Sequence, residues 1–398
     1  MLVQPPQESG VVALADIDLE LLREKIKSAY SADDAILSKF RGYARRLREK
    51  VRPLRSYSVN AVAFVSADGG DNRLVFNPAV VELVRVVDSR GNQCVLDAVP
   101  GTARLSDLQD RTQPNTQNTV TPLQRLCSDL QMGLSDLSYL IRGMGQEGKS
   151  TGAMRCYRDI VEWSVLYDLM TDPSRQWGAD TILVRDGLLR TKSFTRDAFP
   201  RIDERLRAAA DAHSKQHVNL SLVGVAKKNA VLGRLAVALE LEATFHRAYP
   251  CYVPVDTDIE EDCYNFDRTW LETFETAEPN DEGRKQYQSL GRLYLVKFGD
   301  RPFDPVWPVD VAVWQAKDAE RILGQLMVDA QQGFPIPDYP MCIQRAHDFA
   351  KLTGLEVEIL QDILVHGLCE KLTPDEAERL LRLKHLGTSL VAARYKEA

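Results

Sequence analysis

The chain has 398 residues, enough for one large domain or two to three ordinary ones. It is 44% hydrophobic and 27% charged with a net charge of −7, an ordinary globular composition whose charge sum does not advertise a nucleic-acid binder. No apolar run approaches eighteen residues, the opening MLVQPPQESGVVALAD lacks a signal peptide's basic start and apolar core, and seven scattered cysteines form no C-x-x-C pair. These features speak against a membrane span, a zinc ribbon and a disulfide scaffold, and make a reducing cytoplasm the expected compartment.

Residues 16–55 read as helix, with Leu19, Leu22, Ile26, Ile36, Phe40, Leu47 and Val51 roughly in register and Pro53 closing the region. Its second half (38–55) carries eight Lys or Arg residues against Glu49, so Arg45 and Arg48 are candidate phosphate contacts. A solvated helix face is the plainer reading. The stretch 58–76 reads as a strand, a tight D-G-G-D-N turn and a second strand. Residues 80–99 repeat the arrangement around S-R-G-N, and a three-stranded meander is expected. A polar linker (107–122) leads to leucines spaced by three or four from Leu123 to Leu140, which predict one helix.

Further helices are expected at 154–170, 201–216 and 342–354, with strands at 180–189, 218–228, 292–299 and 306–314. Residues 255–282 are strongly acidic. Thr373, Pro374 and Glu376 supply N-cap, N1 and N3 of a last helix.

The segment GMGQEGKS (143–150) fits the phosphate-loop pattern G-x-x-x-x-G-K-[ST]. A working phosphate loop joins a buried strand to a helix, yet the residues before Gly143 continue a leucine pattern of helical period. The expectation is therefore a connector between two helices, with a P-loop NTPase as the less favoured alternative.

Chemistry is expected from three carboxylates. Asp68 follows the strand AVAFVSA and Asp186 follows TILVR, each with Gly directly after it, so each carboxylate is expected at a strand tip. Glu162 stands between them in a helix, on the side shared with Val165 and Leu166; Asp159 and Asp168 are the alternatives for the helix ligand. Hard divalent cations need oxygen ligands, and paired ions clamp the attacking and leaving oxygens of a phosphodiester. Taken singly, D-G is a turn dipeptide and Glu162 a surface partner of Arg158.

The ordered set A-D-G-G, helix glutamate, I-L-V-R-D-G-L, V-G-V-A-K-K and F-P-I-P-D-Y-P…A-H, over residues 58–355, resembles the NurA nucleases. That resemblance implies an α/β fold, a ribonuclease H-like mixed sheet with flanking helices. An N-terminal helical extension (1–55), a nuclease core (56–355, with the acidic insertion at about 255–285) and C-terminal helices (356–398) would make up the chain. It further implies Mn²⁺ or Mg²⁺ held by Asp68, Glu162 and Asp186, with His347 as a further ligand or proton donor. Tyr339 would position a phosphate, and Lys227 or Lys228 would neutralise phosphate charge. The implied activity is DNA cleavage, as a 5′–3′ exonuclease or single-strand endonuclease, in end processing, repair or anti-phage defence. The implied partners are a second copy of the chain and a HerA-type hexameric ATPase, with no membrane. A catalytically inactive adaptor of the translocase is the alternative. The chain departs from the family in reading D-G-G and D-G-L-L where Asp-Gly-Ser is common. It also has Trp307 and Asp310 where an Arg is expected on the late strand pair.

Overall fold

The computed structural model describes residues 19–57, 62–76, 79–112, 120–146, 149–191, 193–195, 197–265 and 289–387. The strands among these are β1 (Arg52–Pro53), β2 (Val62–Phe76), β3 (Ala79–Asp88), β4 (Gln93–Pro100), β5 (Asp180–Asp186), β6 (Leu220–Val225), β7 (Cys251–Pro254), β8 (Gly291–Lys297) and β9 (Val306–Ala312). The helices begin with α1 (Leu19–Lys50), α2 (Leu105–Gln109), α3 (Pro122–Leu130), α4 (Leu134–Leu137), α5 (Ser150–Thr171) and α6 (Ala198–Lys215). They continue with α7 (Ala230–Leu241), α8 (Thr257–Asn265), α9 (Ala319–Ala330), α10 (Met341–Ala350), α11 (Gly354–Cys369) and α12 (Pro374–Gly387).

All nine strands form one sheet in the order β1-β7-β8-β9-β6-β5-β2-β3-β4. Only β2–β5 and β5–β6 pair in parallel; every other neighbour is antiparallel. Parallel neighbours need crossovers, supplied by α2–α5 between β2 and β5 and by α6 between β5 and β6. β6 is buried along its whole length, as expected for an apolar strand covered on both faces. This is the mixed sheet with flanking helices that the sequence led us to expect.

Strand alternation divides the core. Val65, Ala67, Leu183 and Leu222 pack with Ile160 and Val161 of α5 and Ile202 of α6. Ile182, Val184 and Val223 meet Ile322 and Leu326 of α9 and Ile343 of α10 on the opposite face. A third cluster joins Phe40, Ala44 and Leu47 of α1 to Leu235 of α7 and Val253 of β7.

Three local expectations change. The D-G-G-D-N segment is no turn: β2 runs straight through it, pairing Asp68 with Val87 and Asn72 with Leu83 on β3. The leucine run from 123 to 141 is not one helix. α3 ends where Gln131 takes a left-handed conformation (φ 55°), and a single-turn α4 and a 3-10 turn at Leu140–Gly143 follow. Its leucines still reach the core because each short piece packs separately. Pro53 lies beyond the end of α1, in an edge strand where a missing N–H is tolerated. By contrast Thr373 caps α12 as expected, its backbone N–H and hydroxyl both donating to Glu376 (3.0 and 2.7 Å). In the acidic stretch Val255 and Asp256 precede α8, the helix follows, and residues 266–282 lie outside the described residues. No helix among the described residues is long and apolar enough to cross a membrane.

Candidate metal centre

Sheet register sets the positions of the two aspartates. The parallel ladder between β2 and β5 ends at Ala67 opposite Arg185, so Asp68 and Asp186 follow side by side. β5 stops there because Gly187 turns with φ +115°, a conformation that side chains rarely adopt. β2 instead continues along β3, and Gly69 is required for a different reason. A Cβ on it would lie 2.3 Å from Oε1 of Glu162. Glycine inside a strand here marks close approach by a neighbouring side chain, not a turn.

Alternation places Asp186 on the face of Ile182 and Val184, toward α10. From α10, His347 brings Nδ1 to 2.7 Å from Oδ2 of Asp68. Fully buried Tyr339, just before α10, donates its hydroxyl to Oδ1 of Asp186 at 3.1 Å. Lys227 follows the end of β6, its Nζ 3.7 Å from Oδ2 of Asp186 and 5.5 Å from the Tyr339 ring centre. Asp68, Asp186 and His347 each offer one ligand atom, and these atoms lie within 4.8 Å of one another.

Burial, then the neighbouring Asp186 charge, pushes the Asp68 carboxyl above its ordinary range, while the His347 hydrogen bond opposes the shift. The Tyr339 phenol is pushed up by burial and by Asp186. Two carboxylates side by side on neighbouring strands repel, and a cation between them relieves the repulsion. Two carboxylates and an imidazole suit Mn²⁺ or Mg²⁺ by oxygen and nitrogen chemistry. The residues present fit a divalent cation.

Glu162 comes from α5, on the other face of the sheet, and is not part of the three-residue group. Its side chain, 19% exposed, lies against Gly69 and 3.6 Å from Arg158. Burial raises its pKa to about 8, with Asp159 and Asp68 adding to the rise and Arg185 opposing it. The alternatives for the helix ligand are engaged elsewhere: Asp159 with Arg185 (2.7 Å) and Asp168 with Arg125 (2.6 Å).

The structure thus gathers Asp68, Asp186, His347 and Tyr339, sets Lys227 on their rim, and leaves Lys228 exposed one residue beyond. Arg45 and Arg48 are placed differently from the open phosphate contacts expected of them. Arg45 holds Glu242 through two hydrogen bonds of 3.0 Å, and Arg48 donates to the Glu242 backbone carbonyl at 3.0 Å. The bonds from Arg45 and Arg41 pull the Glu242 carboxyl down to about 2. Lys39, Arg46 and Lys50 pair with Asp262, Asp256 and Asp258. The basic helix and the start of the acidic stretch are two sides of one internal contact.

Sequence reasoning named Trp307 and Asp310 only as departures from the family pattern, and it missed Gln344. The Trp307 ring stands 4.7 Å from that of Tyr339. Buried Gln344 accepts from the Ile336 N–H (2.8 Å) and donates to the carbonyls of Ile336 and Tyr339 (2.9 Å each), fixing the loop that delivers Tyr339. Asp310 is wholly buried against Arg190, whose Nε lies 2.8 Å from it, and Arg190 also reaches Glu260. Only the bulky aromatic in FDPVWPVDV and the unusual buried-strand acid signalled any of this. The glycine-rich segment before α5 is preceded by a 3-10 turn rather than a strand, as expected for a helix connector.

No family model and no curated protein matches this chain. Among solved structures it is similar to the NurA nuclease from Sulfolobus solfataricus, at 13% identity over 88% of this chain and 98% of that one, with TM-score 0.34. It is also similar to a NurA at 13% identity, over 87% and 97% of the two chains, with TM-score 0.37. A NurA bound to dAMP and manganese aligns at 11% identity over 92% and 99%, with TM-score 0.36. The likeness runs along most of each chain and concerns fold alone; the chain's activity has to be judged from its own side chains.

Proposed function

We propose that this chain is a metal-dependent deoxyribonuclease of the NurA type. The supporting observation is the convergence of Asp68, Asp186 and His347 within 4.8 Å, with a fully buried tyrosine hydroxyl fixed on one of the aspartates. Asp68, Asp186 and His347 would hold Mn²⁺ or Mg²⁺, and a bound cation supplies Lewis acidity and charge neutralisation at a phosphodiester.

The chain's own residues orient that chemistry. Tyr339 occupies one oxygen of Asp186 and leaves the other facing Lys227, whose ammonium can meet a substrate phosphate. In the tautomer whose Nδ1–H donates to Asp68, Nε2 of His347 offers its lone pair from a ring that is 43% exposed. Through that lone pair it would help hold the cation; proton transfer at the reacting phosphate is the alternative role for the same ring. Glu162, with a pKa of about 8, is mainly protonated at neutral pH and stands ready to ionise beside Asp68 as positive charge arrives.

The finer parts of the reading are proposals of the same kind. They are DNA as substrate, a 5′–3′ exonuclease or single-strand endonuclease mode, a homodimer, a HerA-like ATPase partner, and a role in end processing, repair or defence. The test is cleavage of end-labelled single- and double-stranded DNA in Mn²⁺ or Mg²⁺. Asp68→Ala and Asp186→Ala should each lose about 10³-fold or more. Undiminished cleavage in both variants would sink the site assignment. Absence of cleavage by the unaltered chain, alone and with a HerA-like ATPase, would favour the adaptor reading. Thermal unfolding gives a second readout: Mn²⁺ at 100 Kd should add about 2.7 kcal/mol to the unaltered chain and little to Asp186→Ala.

A further inference from the structure

The positive charge expected on α1 is consumed by the chain's own acids, whereas another set of cations is not. A cavity of about 790 Å³ lies between the glycine-rich connector and α5, lined by Arg142, Lys149, Arg155 and Arg185 among others. Arg142 donates only to the Ser135 carbonyl (3.3 and 3.0 Å) and stacks on Tyr139, with its charge centre 4.6 Å from the ring. Lys149 and Arg155 are exposed, and among the described residues neither they nor Arg142 has an acidic partner. The acid lining the cavity, Asp159, is already held by Arg185 and by the Thr191 hydroxyl. In a chain of net charge −7, Arg142, Lys149 and Arg155 concentrate positive charge that is unpaired among the described residues in a concave site.

Its position relates it to the metal centre. Arg185 immediately precedes Asp186 on β5, and the two side chains point to opposite faces of the same strand end. Arg155 and Glu162 lie two turns apart on one side of α5, about 10 Å at 1.5 Å per residue.

We infer that this cavity binds phosphate esters: those of a nucleic-acid strand, or those of a free nucleotide. The inference goes beyond the nuclease reading, because phosphate binding here needs no metal and no cleavage. The flexible Lys and Arg heads neutralise phosphate charge, and Tyr139 offers a ring beside them.

The test is fluorescence anisotropy of a labelled single-stranded oligonucleotide with the full chain in EDTA. AMP and ATP are used as competitors over a salt series. The Lys149→Ala/Arg155→Ala double variant should bind the oligonucleotide more than tenfold more weakly near 0.1 M salt. Its salt slope should be shallower by about 1.4, from ~0.7 per lost single-strand phosphate contact. Arg46→Ala, whose guanidinium is held by Asp256 and Asp258, should leave both quantities unchanged. Charge-preserving Lys149→Arg/Arg155→Lys should retain binding, which separates lost charge from lost fold. If oligonucleotide binding falls in the double variant, the ligand is a strand phosphate. If only displacement by ATP or AMP is lost, it is a nucleotide phosphate, and either result supports the cavity. Unchanged affinity and slope with both ligands would overturn it, as would an equal loss in Arg46→Ala. A chain that binds through Lys149 and Arg155 but cleaves nothing in Mn²⁺ or Mg²⁺, alone and with a HerA-like ATPase, would refute the nuclease reading and leave the cavity standing.

Discussion

Gly69→Ala separates the fold from the site. The backbone at Gly69 lies in a paired strand that alanine can adopt, so the perturbation is the added methyl group. That carbon would fall 2.3 Å from Oε1 of Glu162 and 2.9 Å from its Cγ and Cδ, whereas ordinary contact begins near 3.4 Å. The Glu162 carboxylate must therefore retreat by about 1 Å, carried by a flexible side chain. Replacing glycine regains about 0.4–1 kcal/mol of unfolded-state entropy, while crowding costs about 1–3 kcal/mol, so the net loss is about 2.6 kcal/mol or less. The melting temperature should fall by only a few degrees. A displacement of 1 Å in a positioned group, however, can cost about 100-fold in rate. The assay is Mn²⁺-dependent cleavage of a labelled oligonucleotide by Gly69→Ala, Glu162→Ala and the double variant. Because both changes act through one carboxylate, the double variant should be no slower than Glu162→Ala alone. Full activity in Gly69→Ala, or additive losses in the double variant, would refute the role given to the Gly69–Glu162 contact.

Two further outcomes follow from charge burial. Glu162 titrates near 8 when folded against an ordinary value of 4.5, so between those pH values the unfolded chain is ionised while the folded chain holds its proton. Folding is thereby penalised increasingly as pH rises through that window, and not at all below it. In EDTA, Glu162→Gln should accordingly stabilise the chain more at pH 8 than at pH 4.5; identical shifts in melting temperature at both would contradict the assignment. Asp310→Asn removes a wholly buried partner of Arg190, which keeps Glu260. A loss of about 3 kcal/mol is expected in urea unfolding, at the lower end for a broken buried pair. A change under 1 kcal/mol would show that Glu260 alone suffices.

Much of the site was legible because its residues occupy local patterns. Asp186 follows an apolar strand and precedes a glycine, His347 lies in an amphipathic helix, and Tyr339 sits in a proline-bracketed loop just before it. Strand endings are properties of a few neighbouring residues, so local pattern exposed Asp68 and Asp186, whereas His347 and Tyr339 entered only through the family resemblance. The D-G-G-D segment misled for the same reason. Its local chemistry is that of a turn, and only the approach of Glu162, more than ninety residues away, explains glycine inside a continuous strand. The basic helix shows the same limit, since its acidic partners lie about two hundred residues downstream.

The sequence by itself determined the mixed α/β pattern, the order of the carboxylates, and the absence of a strand before the phosphate-loop motif. The tertiary structure decided which charges remain open. Ion pairing depends on separations of a few ångströms, and these are set by sheet register and helix packing rather than by distance along the chain. Register set Asp68 beside Asp186, and helix packing paired the cations of α1 with Glu242, Asp256 and the α8 acids Asp258 and Asp262. Among the described residues, packing left Lys149, within GMGQEGKS, facing a cavity without an acidic partner.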